Sequence, residues 1–123
     1  LSATQLEVDE MLNTFRLSEA LKTIYGLIWD DYCSWYLEWI KPGFEQPIHA
    51  KVFEKSIAFY DDLLQLLHPF MPFITEEIHH LLKTQTQDLC VQELVPISKV
   101  DESVLHAGVL LKNVSSTLRD ARN

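Results

Sequence analysis

One stretch, residues 17–41, constrains the fold of this 123-residue chain more than any other. On a helix its polar side chains gather on one side, because steps of three and four residues return to the same face. That side is interrupted by Leu27, Cys33 and Leu37. The remaining positions form two apolar flanks: Leu17, Leu21, Ile24, Ile28, Trp35 and Trp39 on one, and Tyr25, Trp29, Tyr32, Tyr36 and Ile40 on the other. So little continuous polar surface requires packing on more than one side, which predicts the central rod of a helical bundle.

Four further helical patterns accompany the rod, at residues 4–13, 48–67, 73–83 and from 103 onward. Three glycines and five prolines are too few for a turn-rich β fold. Short connections favour antiparallel neighbours, so the sequence predicts one all-α domain over residues 1–123, an antiparallel bundle of four to five helices.

Local signals set the expected ends of these helices. Ser18 is the predicted cap at the start of the rod, and Lys41-Pro42-Gly43 ends it. Pro69 and Pro72 predict a corner before the fourth helix. Residues 89–95 predict a short extended segment.

Charge is unevenly distributed along the chain, whose net charge is −8. Residues 1–98 contain six Lys+Arg against fifteen acids, and residues 99–123 contain four against three. An acidic body argues against nucleic-acid binding through bulk electrostatics. Any contact with RNA has to be local.

The sequence predicts no membrane span, because charges interrupt every apolar run before the roughly 20 residues that a span needs. It predicts no secretion signal, because no basic segment precedes an apolar run near Leu1. Cys33 and Cys90 lack metal-ligand spacing, which indicates a reducing, cytoplasmic setting and two small buried side chains. The chain begins at Leu1 and stops inside a helical pattern at Asn123, so we expect an excised piece of a longer protein.

The one metal-like pattern is the overlapping pair Glu76-x-x-His79 and Glu77-x-x-His80. This spacing matches a di-iron ligand pair in a helical bundle, but such a site needs a second Glu-x-x-His. Gln46, Gln65 and Ser103 stand three residues before the other histidines, so we expect a solvated helix face and no metal. Zinc, phosphate-loop and nucleophile-elbow motifs are also absent, and no catalytic residue is predicted.

Aromatic residues of the rod have two interpretations. Trp29, Tyr32 and Tyr36 are expected in the core, as aromatics at helical spacing usually are. Trp35, Trp39 and Phe44 lie near Lys41 and the end of the rod. For these three, core packing and stacking against unpaired bases remain equally open.

Two segments resemble valyl-tRNA synthetases, which are class I enzymes. IWDDYCSWYLE at residues 28–38, followed by Lys41-Pro42, resembles the family's W-(D/E)-x-(F/Y)-C-D-W-Y-x-E run and its later K-P. LLHPFMPFITEEI at residues 66–78 is similar to L-H-P-F-M-P-F-(I/L)-T-E-E-(I/L), the more specific motif. Ser34 replaces the usual Asp, and His79 stands where Trp or another aromatic is common.

The resemblance implies an anticodon-binding helical bundle that binds the tRNA for valine. It also implies a partner catalytic domain on the same parent chain, which would use ATP with magnesium. The catalytic signatures His-x-Gly-His and Lys-Met-Ser-Lys-Ser do not occur here, so this stretch should perform no aminoacylation and need no cofactor. From charge and chain position, the RNA-binding candidates are Arg16, Lys22, Trp35, Trp39, Lys41, Phe44, Arg119 and Arg122.

An alternative of another class is a helical protein-interaction or scaffold module with an acidic docking face. Its motivation is the charge of −8. A continuous acidic surface without a local basic patch would favour it.

Overall fold

The computed structural model describes residues 1–82, 87–93 and 100–122, and its regular structure is entirely helical. Its elements are α1 (Ser2–Asn13), α2 (Leu17–Gly26), a π-helical segment (Leu27–Tyr36), α3 (Leu37–Ile40), α4 (Ala50–Leu67), α5 (Pro72–Leu82), a 3-10 turn (Leu89–Val91) and α6 (Glu102–Arg122). Because α2, the π-helical segment and α3 follow one another without a gap, they form the rod, residues 17–40. The predicted all-α bundle, a rod with four other helices, is confirmed for the described residues.

The core lies between α1, the rod and α4. Its buried side chains are Val8 from α1, Ala20, Ile24 and Leu27 from the rod, and Leu63 and Leu66 from α4. Half-buried apolar side chains close its margin, among them Met11, Leu12, Ile28 and Phe70. Burial of this apolar surface is the main force that holds the three elements together.

The rod begins two residues earlier than a cap at Ser18 would allow. Arg16 takes the N-cap position without a capping side-chain bond, so the prediction for Ser18 is wrong. The turn before it is tight, because Phe15 has φ 58° and the Arg16 amide donates to the Met11 carbonyl at 2.8 Å. The Arg16 carbonyl then accepts from the Ala20 amide at 3.0 Å, which is the first backbone bond of the rod.

The sequence predicted that both apolar flanks of the rod are covered by other helices. The structure does not cover both of them. Leu27, assigned to the polar side, is buried, whereas Trp29 is 57% exposed and stacks on the exposed Tyr25 with ring centroids 6.4 Å apart. Leu17 and Leu21 are exposed as well. From Leu27 to Tyr36 the helix is π-helical, so a period of 3.6 residues does not assign the faces of this segment.

Tyr32 and Tyr36 confirm the predicted packing of rod aromatics. Their rings stack at 5.4 Å, and Tyr32 also stacks on Tyr60 of α4 at 5.9 Å. Tyr36 meets Phe59 edge to face at 5.6 Å. The Tyr32 hydroxyl donates to the Ser56 carbonyl at 2.9 Å, which ties the rod to α4.

Replacing Tyr32 by phenylalanine is expected to lower the free energy of unfolding by about 0.5–1.5 kcal/mol, because the bond to Ser56 is lost. The pKa of Tyr32 is raised from 10.0 to about 12. Burial is the largest cause, and the charge interaction with the neighbouring Tyr36 is the second. The neutral phenol is therefore favoured in the folded state, so its contribution is complete below pH 10 and is lost as the pH rises through about 12.

Urea unfolding at pH 7, together with an absorbance titration of tyrosinate, measures both effects. Tyr25→Phe is the matched control, since the Tyr25 ring is 61% exposed. Equal losses in the two variants would contradict the assignment of Tyr32.

The predicted proline corner is present between α4 and α5. Pro72 is the first residue of α5, a position where a missing amide proton costs nothing. Thr75 is fully buried, and its hydroxyl donates to the Met71 carbonyl at 2.9 Å and lies 2.8 Å from Nδ1 of His68. The corner is thus held by side-chain bonds as well as by the prolines.

The 75–80 cluster is the solvated face that its sequence predicted only at Glu77 and His80, which are exposed. His79 is 1% exposed, and its Nδ1 lies 2.5 Å from Oδ1 of Asp61 on α4. Nε2 of His79 lies 3.3 Å from the Gln87 carbonyl. His79 therefore joins α4, α5 and the segment 87–93.

The segment after α5 also differs from expectation. Leu89–Val91 form a 3-10 turn in place of an extended segment, because its hydrogen bonds close within three residues. Residues 94 and 95 lie outside the described part of the chain. Cys90 is exposed on this turn, so its predicted burial is wrong, whereas Cys33 in the rod is half-buried.

The last helix, α6, begins at Glu102, close to its predicted start. Oδ1 of Asp101 accepts from the Ser103 hydroxyl at 2.6 Å and from the Ser103 amide at 3.0 Å, and these bonds lower the pKa of Asp101. α6 buries none of its residues, although its sequence is amphipathic. Among the helices that the structure describes, none has the length and apolar character of a membrane span.

Candidate nucleic-acid interface

Two tryptophans near the end of the rod form the centre of the candidate site. Trp35 is half-buried in the π-helical segment, and Trp39 in α3 is 45% exposed. Their rings meet edge to face, with centroids 5.6 Å apart and planes at 64°. The rod therefore presents one half-buried indole, that of Trp35, and one exposed indole, that of Trp39, on which a ligand can stack.

Helix α6 places two cations against Trp35. Cζ of Arg119 lies 5.1 Å and Nζ of Lys112 lies 5.9 Å from the centroid of the Trp35 ring. The two cations are seven positions apart, which puts them on one face of α6. Both distances are within the range of cation–π attraction.

Lys112 also pairs with the carboxylate of Asp31 on the rod. This ion pair and the two cation–π contacts hold α6 against the rod. α6 buries none of its side chains, and Asp31 and Trp35, its contacts on the rod, are not fully buried. We call Trp35, Trp39, Lys112 and Arg119 the rod–α6 site.

Lys41 and Phe44 lie beyond Trp39, after the rod has ended. Nζ of Lys41 pairs with Oε1 of Glu38 at 3.2 Å, and both side chains are more than half exposed. Such a surface pair is worth about 0–1 kcal/mol, so the lysine is readily available to another anion. Phe44 is 93% exposed in the loop before α4.

The remaining candidates lie apart from this cluster or extend it. Arg16 precedes the rod and pairs with Glu19 at 3.2 Å, while Lys22 is exposed in α2, thirteen positions before Trp35. The structure does not bring these two together with the tryptophans. Arg122 is exposed one turn after Arg119 on α6.

Lys112 is the cation that sequence reasoning omitted. Its distance of seven residues from Arg119 was a usable signal, since the two share a helix face. The docking of α6 on the rod, which gives Lys112 its place, depends on tertiary structure.

The site contains no metal-ligand cluster among the residues that the structure describes; such atoms converge elsewhere, at Glu76, His80 and Asp88.

The chemistry of the rod–α6 site suits a single-stranded polyanion. A guanidinium group can bind a phosphate in a bidentate manner and can also stack on a base. Exposed aromatic rings stack on unpaired bases, and each stacked base contributes about 1–3 kcal/mol to the free energy of binding. Among the described residues, Arg119 forms no ion pair that would compete with a phosphate.

Comparison with known proteins agrees with this chemistry. Residues 1–123 match the family described as the anticodon-binding domain of tRNA ligase. Valine-tRNA ligases of Parabacteroides distasonis and Phocaeicola vulgatus are 42% and 43% identical to the chain, and each alignment covers 99% of it. The valine-tRNA ligase of Enterococcus faecalis is 36% identical, again over 99% of the chain.

In each of these alignments the chain spans 14% of the length of the relative. The match to the family extends over the whole chain, and it includes the rod, the proline corner and α6. The chain belongs to the anticodon-binding domain family of tRNA ligases.

Proposed function

We propose that this chain binds the anticodon stem-loop of a valine tRNA, as part of a valine-tRNA ligase, through the rod–α6 site. Support comes from the family to which it belongs and from the names of its relatives. The proposal treats residues 1–123 as one anticodon-binding domain of a longer polypeptide.

The observation that carries the proposal is the pair of α6 cations beside the two tryptophans. The chain as a whole has a charge of −8 and repels phosphate at long range. Binding must therefore depend on a local positive patch. Arg119 supplies its charge, and Lys112, which shares its charge with Asp31, stands beside it. Stacking on Trp39 adds affinity that does not depend on net charge.

The division of roles follows from exposure and charge. Arg119, Lys112 and Lys41 contact phosphates, which positions the RNA without reading its sequence. Trp39 and Phe44, both exposed, stack on unpaired bases of the loop. Arg122 extends the cationic line on α6. Arg16 and Lys22 contact backbone farther along the stem.

In this proposal the chain performs no chemistry of its own and orients the tRNA for another domain. The catalytic domain of the same polypeptide binds ATP with magnesium and joins valine to the tRNA. The setting is the cytoplasm, and no membrane takes part.

The alternative, a module with an acidic docking face, is less well supported. It predicted an acidic surface without a local basic patch, whereas Lys112 and Arg119 stand together beside Trp35. An acidic face also offers no explanation for the exposed Trp39 next to these cations.

The test measures binding of a full-length ligase that carries this chain to valine tRNA and to the same tRNA with altered anticodon bases. We expect Trp39→Ala to weaken binding of the native tRNA about 5–150-fold, the equivalent of one stacked base at about 1–3 kcal/mol. The variant should also reduce the preference for the native anticodon.

Trp29→Ala is the matched control, because Trp29 is 57% exposed on the same rod but stacks on Tyr25, outside the site. It should retain both affinity and preference. Equal binding of the two tRNAs by the unmodified ligase would overturn the proposal that this chain reads the anticodon.

A further inference from the structure

Three side chains with metal-ligand atoms converge where α5 meets the segment 87–93. Nε2 of His80 lies 3.1 Å from Oε1 of Glu76 and 3.0 Å from Oδ1 of Asp88. One ligand atom from each residue lies within 4.8 Å of the others. This cluster lies on α5 and the segment after it, away from the four residues of the rod–α6 site.

Both distances to Nε2 of His80 suit a divalent ion placed between these atoms. Nitrogen and oxygen ligands of zinc lie about 2.0–2.2 Å from the metal. Two ligands at that range and about 3.0 Å apart subtend an angle of about 85–100°, which suits a five- or six-coordinate ion. Small movements of the exposed His80 and Asp88 would widen it toward a tetrahedral angle.

The Glu76 carboxylate is already oriented by the protein. Its Oε1 accepts a bond from the Leu89 amide at 2.9 Å, and its Oε2 lies 3.9 Å from Nε2 of His68. Oε1 has a second lone pair, which faces His80. Groups that orient a ligand in this manner commonly raise metal affinity 10–100-fold.

The ligand set indicates the class of ion. Two carboxylates and a neutral imidazole carry a charge of −2, which a divalent cation neutralises. Imidazole favours zinc, cobalt or nickel over magnesium and calcium, which prefer oxygen ligands alone. Glu76 and His80 also line an open cleft with His68 and Cys90, so water can complete the coordination.

We propose that Glu76, His80 and Asp88 bind one divalent transition-metal ion, with zinc as the type case, and that the ion clips the segment 87–93 to α5. This proposal departs from the sequence prediction of no metal. The sequence spacing pairs Glu76 with His79, whereas in the structure His79 faces Asp61 and Glu76 pairs with His80, four positions after it. Asp88, from the segment after α5, is the third member of the cluster.

The test is a titration with Co²⁺, a spectroscopic substitute for zinc, of the chain carrying Cys90→Ser, so that the thiol lining the same cleft does not contribute to the signal. We expect visible d–d absorption that saturates at one equivalent. Addition of Zn²⁺ should abolish the absorption and raise Tm, since a ligand that binds only the folded state stabilises it.

His80→Gln and Asp88→Asn should each weaken Co²⁺ binding at least about tenfold and remove the Tm shift. His106→Gln, which changes an exposed histidine on α6, is the matched control and should retain both. All three substitutions are at exposed positions, and circular dichroism verifies that the variants fold. Absence of the signal in the Cys90→Ser chain, or its persistence in His80→Gln, would overturn the proposal.

Discussion

Replacing Ile24 by alanine is expected to lower the free energy of unfolding by about 2–5 kcal/mol, the largest effect of any single truncation in the rod. Ile24 is completely buried in the cluster that joins α1, the rod and α4. Removal of three carbons there loses apolar burial and leaves a cavity that three packed helices can fill only in part. Urea unfolding followed by circular dichroism measures the change.

Leu21→Ala is the control for Ile24→Ala. Leu21 lies on the same helix but is 39% exposed, so we expect a loss of about 1 kcal/mol or less. If the two truncations cost the same, the core would not lie on the Ile24 side of the rod. That result would contradict the packing described above.

Replacing His79 by alanine is expected to cost about 1–3 kcal/mol, because it removes one partner of a largely buried polar pair. The His79 and Asp61 side chains are 1% and 12% exposed, and the atoms that pair are 2.5 Å apart. The carboxylate would lose this partner without gaining full access to water. The contact between Nε2 of His79 and the Gln87 carbonyl is lost at the same time.

His80→Ala, measured in a metal-free buffer with a chelator, is the neighbouring control and should change stability by about 0.5 kcal/mol or less. The His80 side chain is 42% exposed. Hydrogen exchange should show faster opening of residues 87–93 in His79→Ala only. Unchanged stability of His79→Ala would mean that the pair contributes nothing to the folded state.

The helices could be predicted from the sequence because their ends depend on local chemistry. Pro42 and Gly43 terminate the rod, and Pro69 and Pro72 shape the corner, whatever the rest of the chain does. The all-α class follows from the same signals.

Burial was predicted less well, because it depends on which flank finds a partner. Leu27 and Trp29 are two positions apart, and the sequence assigned each to the wrong environment. The π-helical hydrogen bonding over residues Leu27–Tyr36 shifts the faces of the rod. No residue pattern in the sequence predicted it. The partner of His79, Asp61, lies on another helix, so a helix-by-helix analysis could not find it.

The candidate site was predicted in part for the same reason. Trp35, Trp39 and Arg119 were candidates from their chemistry, and the structure places all three together. The place of Lys112 in the site could not be predicted, because it depends on the docking of α6 against the rod. That docking rests on an ion pair with Asp31 and on ring contacts with Trp35. These are long-range contacts between surface groups, which periodicity does not encode.

The most direct test of the central claim is the salt dependence of valine tRNA binding by the ligase carrying Lys112→Gln and Arg119→Gln together. The control carries Lys51→Gln and Lys55→Gln, the same charge change on α4, where Lys55 also stands over an aromatic ring, 5.7 Å from the centroid of Phe59. We predict weaker binding for the α6 pair, with the slope of log K against log salt reduced by about one for each lost phosphate contact, and no change for the α4 pair. An unchanged slope for the α6 pair, or an equal reduction in both, would contradict the claim that the rod–α6 site holds the RNA.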